Sequence, residues 1–159
     1  MDNVVIGIDI GKKGALSVIK CSGEHHYTID YDENLGFIAD FLKETQENYN
    51  IRMAVLEKVH SMPRQGVKSM FSFGENFGKW QGLLSALEIP YDFSRPQEWM
   101  KELGIPKGTD KHGLALKCTQ LYPSTKDVIY TQRKALKDGR SDSILIAHYA
   151  RLKYGGQYE

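Results

Sequence analysis

The sequence predicts an α/β fold built on a mixed sheet, and three observations carry that expectation. Residues 4–10 (Val-Val-Ile-Gly-Ile-Asp-Ile) form a β-branched apolar run, the pattern of a strand covered on both faces. Two further strand-like stretches follow at once, which makes an antiparallel meander. The apolar period then lengthens to that of a helix, and another apolar strand comes after it, set beside the first strand and parallel to it.

Taken in order, the first strand (4–10) meets Gly11 and Gly14, with Lys12 and Lys13 between them, a tight turn. Residues 15–21 alternate and form the second strand. Ser22-Gly23-Glu24 turns the chain into the third, 25–31. Leu35, Ile38, Phe41 and Leu42 recur at helical spacing, so 33–48 is a helix covering one sheet face. The fourth strand is 51–58, and 59–65, with Pro63, is a loop. Residues 67–87 make a long helix. Val67, Met70, Phe73, Phe77, Trp80, Leu84 and Leu87 form one stripe along it, and Gly74, Gly78 and Gly82 a second. Each helical glycine costs roughly 1 kcal/mol against alanine. Three in register imply that another backbone comes close, either the sheet or a second subunit. Residues 89–94 are the fifth strand, 97–103 a short helix opened by Pro96, 104–109 a loop, and 110–122 a helix closed by Pro123. The basic, poorly periodic stretch 124–137 is expected to be a mobile surface segment. The last helix is 141–154. With no repeat, low-complexity tract or linker, residues 1–159 are expected to form one domain.

The bulk composition narrows the class. A hydrophobic share of 41% against 26% charged residues is that of a soluble globular chain, not a disordered one. No apolar run could span a membrane, and the amino end does not read as a signal peptide. Cys21 and Cys118 are isolated, which points to a reducing compartment and away from zinc. The net charge of +1 says little about an anionic partner. Its distribution says more, because acids gather in 30–47 and bases in 126–140, so one face can be basic.

The chemistry lies in the acids. Asp9 interrupts an apolar strand, where a carboxylate is costly unless paired, protonated or metal-bound. Asp9 therefore either makes a strand-end turn hydrogen bond or is held to bind a divalent cation. Glu57 ends the apolar part of the fourth strand in the same way, and neighbouring parallel strands bring two such acids within metal-bridging reach. Asp138 and Asp142, four apart, share one helix face. Alternatively Asp138 is an N-cap and both acids answer the positive helix terminus. His60 and His148 read as satisfied or exposed histidines.

In this order the motifs resemble those of the RNase H-like nucleases and, within them, the RuvC-type Holliday junction resolvases, particularly small phage versions. The resemblance rests on Ile6-Gly7-Ile8-Asp9-Ile10-Gly11, Ala54-Val55-Leu56-Glu57, Gln65-Gly66-Val67 leading to Gly74 and Gly78, Arg95-Pro96-Gln97-Glu98-Trp99, and Asp138-Gly139-Arg140-Ser141-Asp142-Ser143. It covers nearly the whole chain. Sugar-kinase-like ATPases share the Asp9 motif, but they need a second phosphate loop and a longer chain.

The resemblance implies five strands in the order 3-2-1-4-5 with helices on both faces. It implies two Mg²⁺ or Mn²⁺ ions, with Asp9 bridging both, Glu57 and Asp142 taking one each, and Asp138 as the fourth acid. Many relatives carry that extra Asp three residues before the last one, where this chain has Gly139. The implied activity is crossover junction endonuclease action on four-way DNA in recombination and repair, giving 5′-phosphate ends. A homodimer through the long helix would make the paired cuts, in the cytoplasm of a bacterial cell or phage-infected host. Lys111, with Lys101 and Lys107 as the other choices, would offset charge at the scissile phosphate. Junction recognition falls on 59–73, with Met62, Arg64, Gln65, Lys68 and either Phe71 or Phe73 as a wedge. Lys101 and Lys107 join the DNA-binding set. Lys12, Lys13, Lys79, Arg133, Lys134 and Arg140 would add phosphate contacts. The alternatives are an RNase H-like nuclease acting on other branched DNA or RNA, and a non-catalytic junction-binding protein.

Overall fold

A computed structural model of the chain describes residues 1–58 and 66–156. Its sheet contains β1 (Asn3–Asp9), β2 (Ala15–Lys20), β3 (His25–Asp30), β4 (Asn50–Glu57) and β5 (Tyr91–Ser94), in the spatial order β3-β2-β1-β4-β5. The meander is antiparallel, and β4 and β5 run parallel to β1. The meander and the parallel pairing of β4 with β1 are those the sequence predicts, and the strand order is the one the resemblance implies. The β1–β2 turn is closed by the Gly14 N–H on the Gly11 carbonyl at 2.9 Å. A Cβ on Gly14 would fall 1.9 Å from the Asp9 carbonyl oxygen, so only glycine lets the turn fold back this tightly.

Alternation along β1 sorts the core into two halves. Val4, Ile6 and Ile8 pack with Ile38 and Leu42 of α1 (Leu35–Asn48) and with Trp80 and Leu84 of α2 (Val67–Ala86). Val5 and Val55 pack on the opposite face with α3 (Pro96–Glu102), α4 (Lys111–Leu121) and α6 (Asp138–Tyr154), α5 being the short helix Lys126–Ile129. Helices thus cover both faces.

Gly7, between Val5 and Asp9, sets how closely α6 lies on the sheet. A Cβ there would sit 2.1 Å from the Ala147 nitrogen and 2.3 Å from the Ser143 oxygen. The backbone of α6 occupies that space. Its residues from Ser143 to Ala150 are buried on every side, as befits a helix pressed between a sheet and α4. Ser17 Oγ and Ser143 Oγ pair at 2.7 Å and satisfy the buried hydroxyls at this contact.

Four expectations need correction. The segment 124–137 is built rather than mobile. A 3₁₀ turn (Pro123–Thr125), α5 and a bridge between Tyr130 and Leu136 order it, with Thr125 and Ile129 fully buried. Elements this short contribute one or two buried residues each, too few to show a period. The glycine stripe of α2 does not pack on the sheet, since Gly74, Gly78 and Gly82 are exposed and a Cβ on any of them would meet nothing within 4 Å. The apolar stripe of α2 reaches the core only from Phe73 onward, leaving Val67 85% exposed and Met70 43%. Finally, the last helix starts at Asp138 rather than at 141, and its cap is Lys137, so Asp138 is not the N-cap.

Candidate active site

Asp9 and Glu57 are the last residues of β1 and β4. The register pairs Ile8 with Leu56, so the two acids stand side by side one step further on. Alternation aims Asp9 toward the face that Gly7 presents to α6. That helix runs antiparallel to β1. Its first turn rests on the β1–β2 turn, its middle on Gly7, and its Arg151 Nε donates to the Cys21 carbonyl, at the other end of the meander, at 3.0 Å. Asp138 and Asp142 therefore arrive at the Asp9 end of the sheet.

A Cβ on Gly139 would lie 2.2 Å from the Lys13 carbonyl oxygen. That position cannot carry a side chain while α6 rests on the turn. The acid next to it, Asp138, stands near enough for its charge to act on Asp9 and Asp142.

The electrostatics reflect crowding. Burial, then Asp9 and then Glu57 and Asp138, push the Asp142 carboxyl up to about 8. Burial and then Asp9 push Glu57 up to about 7, against the pull of a hydrogen bond from Trp99. Burial raises Asp9 too, opposed by the Gly11 amide and reinforced by Asp138. The Gly11 N–H reaches Asp9 Oδ1 at 3.3 Å, so the turn hydrogen bond is also present. Trp99 Nε1–H donates to Glu57 Oε2 at 2.7 Å. Asp142 Oδ1 is buried and has no hydrogen-bond partner among the described residues.

Among the described residues no three His, Cys, Asp or Glu side chains form a ready-made metal cage. The donor set nevertheless suits a hard divalent cation. It is all carboxylate oxygen, one of those oxygens is buried and unpartnered, and a nearby positive charge would reverse the destabilisation the three acids share.

The other predicted residues fall in separate places. Lys111 opens α4, exposed. Further along that helix, Cys118 feels the charge of Asp142, and Tyr122 just beyond it bonds His148 Nδ1 at 2.6 Å. α4 and α6 therefore run the same way, and Lys111 lies at the acidic end. His148 is a satisfied core histidine, as expected. Lys101 and Lys107 are exposed at an apolar cavity of about 690 Å³ lined also by Pro96, Met100 and Ile105. Lys68 and Phe71 are exposed on the first turns of α2, Phe71 at 71%, whereas Phe73 packs into the α1–α2 core beside Phe77. Of the two wedge candidates only Phe71 is presented. Arg64 and Gln65, with His60 and Met62, lie outside the described residues. Lys12, Lys13 and Lys137 line a cleft of about 410 Å³ that also contains Asp138. Two expected phosphate contacts are engaged elsewhere, Arg140 by a two-pronged pair with Asp30 at 2.8 and 2.9 Å and Lys79 by Glu75 at 3.0 Å.

Sequence reasoning did not find three residues that support the site. Trp99 enters only as part of the Arg95–Trp99 motif, and nothing in its spacing reveals the carboxylate at its ring nitrogen. Asn76 is buried on α2 and donates through Nδ2 to the Ile10 carbonyl, next to Asp9. A polar residue one turn from Trp80 on an otherwise apolar face was the available signal. Lys137 lay in the segment expected to be mobile.

Comparison with known proteins gives no matching family model and no matching curated protein. Solved structures do match. Thermus thermophilus RuvC aligns with a TM-score of 0.66 at 16% identity, over 95% of this chain and 97% of that one. The same RuvC in complex with a Holliday junction substrate aligns at 0.62 and 14%, over 94% and 95%. The yeast mitochondrial Holliday junction resolvase Ydc2 aligns at 0.56 and 16%, over 94% and 80%. Over nearly all of its length, then, the chain has the RNase H-like fold of RuvC, the fold its motifs resemble.

Proposed function

We propose that the protein is a structure-selective endonuclease that resolves four-way DNA junctions by paired, divalent-cation-dependent phosphodiester hydrolysis. One observation carries the reading: on a RuvC-like sheet, Asp9, Glu57 and Asp142 converge at one end of the central strands, each carboxyl raised first by burial, with the charge of Asp9 raising Glu57 and Asp142 further. Such a set is costly to fold unless it has a use.

In this reading Asp9, Glu57, Asp142 and Asp138 hold two Mg²⁺ or Mn²⁺ ions. Those ions would supply an activated water for in-line attack and a counter-charge for the departing 3′ oxygen, leaving 5′-phosphate ends. Lys111, at the acidic end of α4, offsets negative charge on the scissile phosphate. Lys12, Lys13 and Lys137 take phosphates of the strand lying beside the acids. Phe71 and Lys68, projecting from α2, meet the junction, and Phe71 exploits the weakened stacking at its branch point. The exposed glycines of α2 supply the surface for a second copy, and two-fold symmetry makes the cuts paired. Cys21 and Cys118 are unpaired, consistent with a cytoplasm.

The test compares cleavage of a four-way junction, a linear duplex and an RNA–DNA hybrid in MgCl₂, with products mapped on both strands. The junction should be cut symmetrically and preferred. Asp9→Asn should lose about 10³-fold or more in rate while still binding the junction. Preferential cutting of the hybrid, or full activity in Asp9→Asn, would overturn the reading.

A further inference from the structure

The indole of Trp99 touches the acidic site but has no part in the chemistry proposed above. It is fully buried, and its N–H reaches Glu57 Oε2 at 2.7 Å. Ser94, the last residue of β5, pairs with Glu57 across the sheet. The chain then turns into α3, opened by Pro96, where the Arg95 backbone N–H donates to Glu98 Oε1 at 3.4 Å. Trp99 thus lies on the first helical turn after the strand that flanks Glu57. Its ring is wedged in the core formed by Val55, Leu103, Leu114 and α6.

We propose that Trp99 is a positioning residue for the metal site, its N–H holding the Glu57 carboxylate in one orientation through Oε2. Indole is a donor only and cannot be deprotonated under ordinary conditions. It takes one lone pair of Glu57 Oε2 and competes for no metal. The bond is stronger to the charged form of the carboxylate, so it favours the state that binds a cation. The immobile ring also sets the plane of the carboxylate, a constraint that a water molecule or a flexible side chain would not impose. Donors behind a metal-binding group typically account for 10–100-fold in metal affinity.

This inference rests on the metal-site reading, and one experiment separates the two. The chain has two tryptophans, so an indole ¹⁵N-labelled sample gives two ring N–H signals. Trp80 Nε1 is buried with no acceptor among the described residues and serves as the internal control. MgCl₂ added to the wild type should shift the Trp99 signal, assigned by its loss in Trp99→Phe, and leave the Trp80 signal nearly still. MnCl₂ affinity, measured by calorimetry, should be weaker in Trp99→Phe by about 10-fold or more, with cleavage recovering as MnCl₂ is raised. Glu57→Gln should uncouple the Trp99 signal from MgCl₂ without any change to the indole, which covers the case in which Trp99→Phe folds poorly. If the wild type binds MnCl₂ and Trp99→Phe binds it equally well, the positioning role is refuted and the metal site stands. If the wild type binds neither cation, the metal-site reading falls and this inference with it.

Discussion

Asp142 is the acid whose charge the fold opposes most, and replacing it by asparagine should stabilise the cation-free protein. Its carboxyl is carried from an ordinary value of 3.8 up to about 8 by burial and by Asp9, Glu57 and Asp138. A raised folded-state value means that the folded chain keeps this proton to higher pH than the unfolded chain does. The contribution is complete below 3.8 and drains away as the pH climbs to about 8. A window that wide corresponds to on the order of 5 kcal/mol of disfavour for the ionised form. Solvent entry and local relaxation recover part of it, which leaves about 2 kcal/mol for an isosteric neutral side chain to regain. The introduced asparagine also brings an amide N–H₂ that Asp9 and Glu57 can accept. In chelator near pH 8, Asp142→Asn should melt about 4–8 °C above the wild type. Near pH 3 the two should coincide, since the wild-type carboxyl is then protonated in the folded and the unfolded chain alike. Excess MgCl₂ should reverse the order by stabilising only the wild type. Equal melting near pH 8, or a gain that does not depend on pH, would refute the reasoning.

Further outcomes follow from the packing and the charge. Gly7→Ala should cost about 3 kcal/mol in urea denaturation, because its methyl meets the α6 backbone at 2.1 Å. Gly78→Phe should cost the monomer almost nothing, because its side chain faces open space, yet should shift a self-association equilibrium measured by sedimentation if α2 joins two copies. Alanine at Lys12, Lys13 or Lys137 should each lower the salt slope of junction binding, measured in CaCl₂, by about one phosphate's worth. Unchanged slopes would remove that cleft from the DNA path.

The antiparallel meander and the acids that end apolar strands were legible because each leaves a mark on neighbouring residues, whereas the full strand order came from the family resemblance. Asp9 and Glu57 stand out as carboxylates ending apolar strands, and their shared face follows from alternation. The supporting groups leave no such mark. Trp99 looks like any buried aromatic, and only its contact across the sheet, from residue 99 to residue 57, reveals the bond. Asn76 is one polar residue among apolar neighbours, and its partner is a backbone carbonyl that no pattern announces. The glycines were misread for a related reason. The conformational cost of Gly74, Gly78 and Gly82 says that something favours their smallness but not on which side it lies. Gly7, which does admit another backbone, looked like an ordinary strand residue. The turn and short helix of 123–129 were missed because a single buried side chain such as Ile129 has no period.

Placing half of the acids on the first and fourth strands and the other half on the final helix has a consequence during synthesis. A polypeptide that has emerged only as far as residue 137 owns Asp9 and Glu57 but not their counterparts, and the sheet surface around Gly7 is still bare. On the proposed function, competence to cut DNA is withheld until α6 seats itself, so a half-made or truncated copy is both harmless to the genome and an obvious client for quality control.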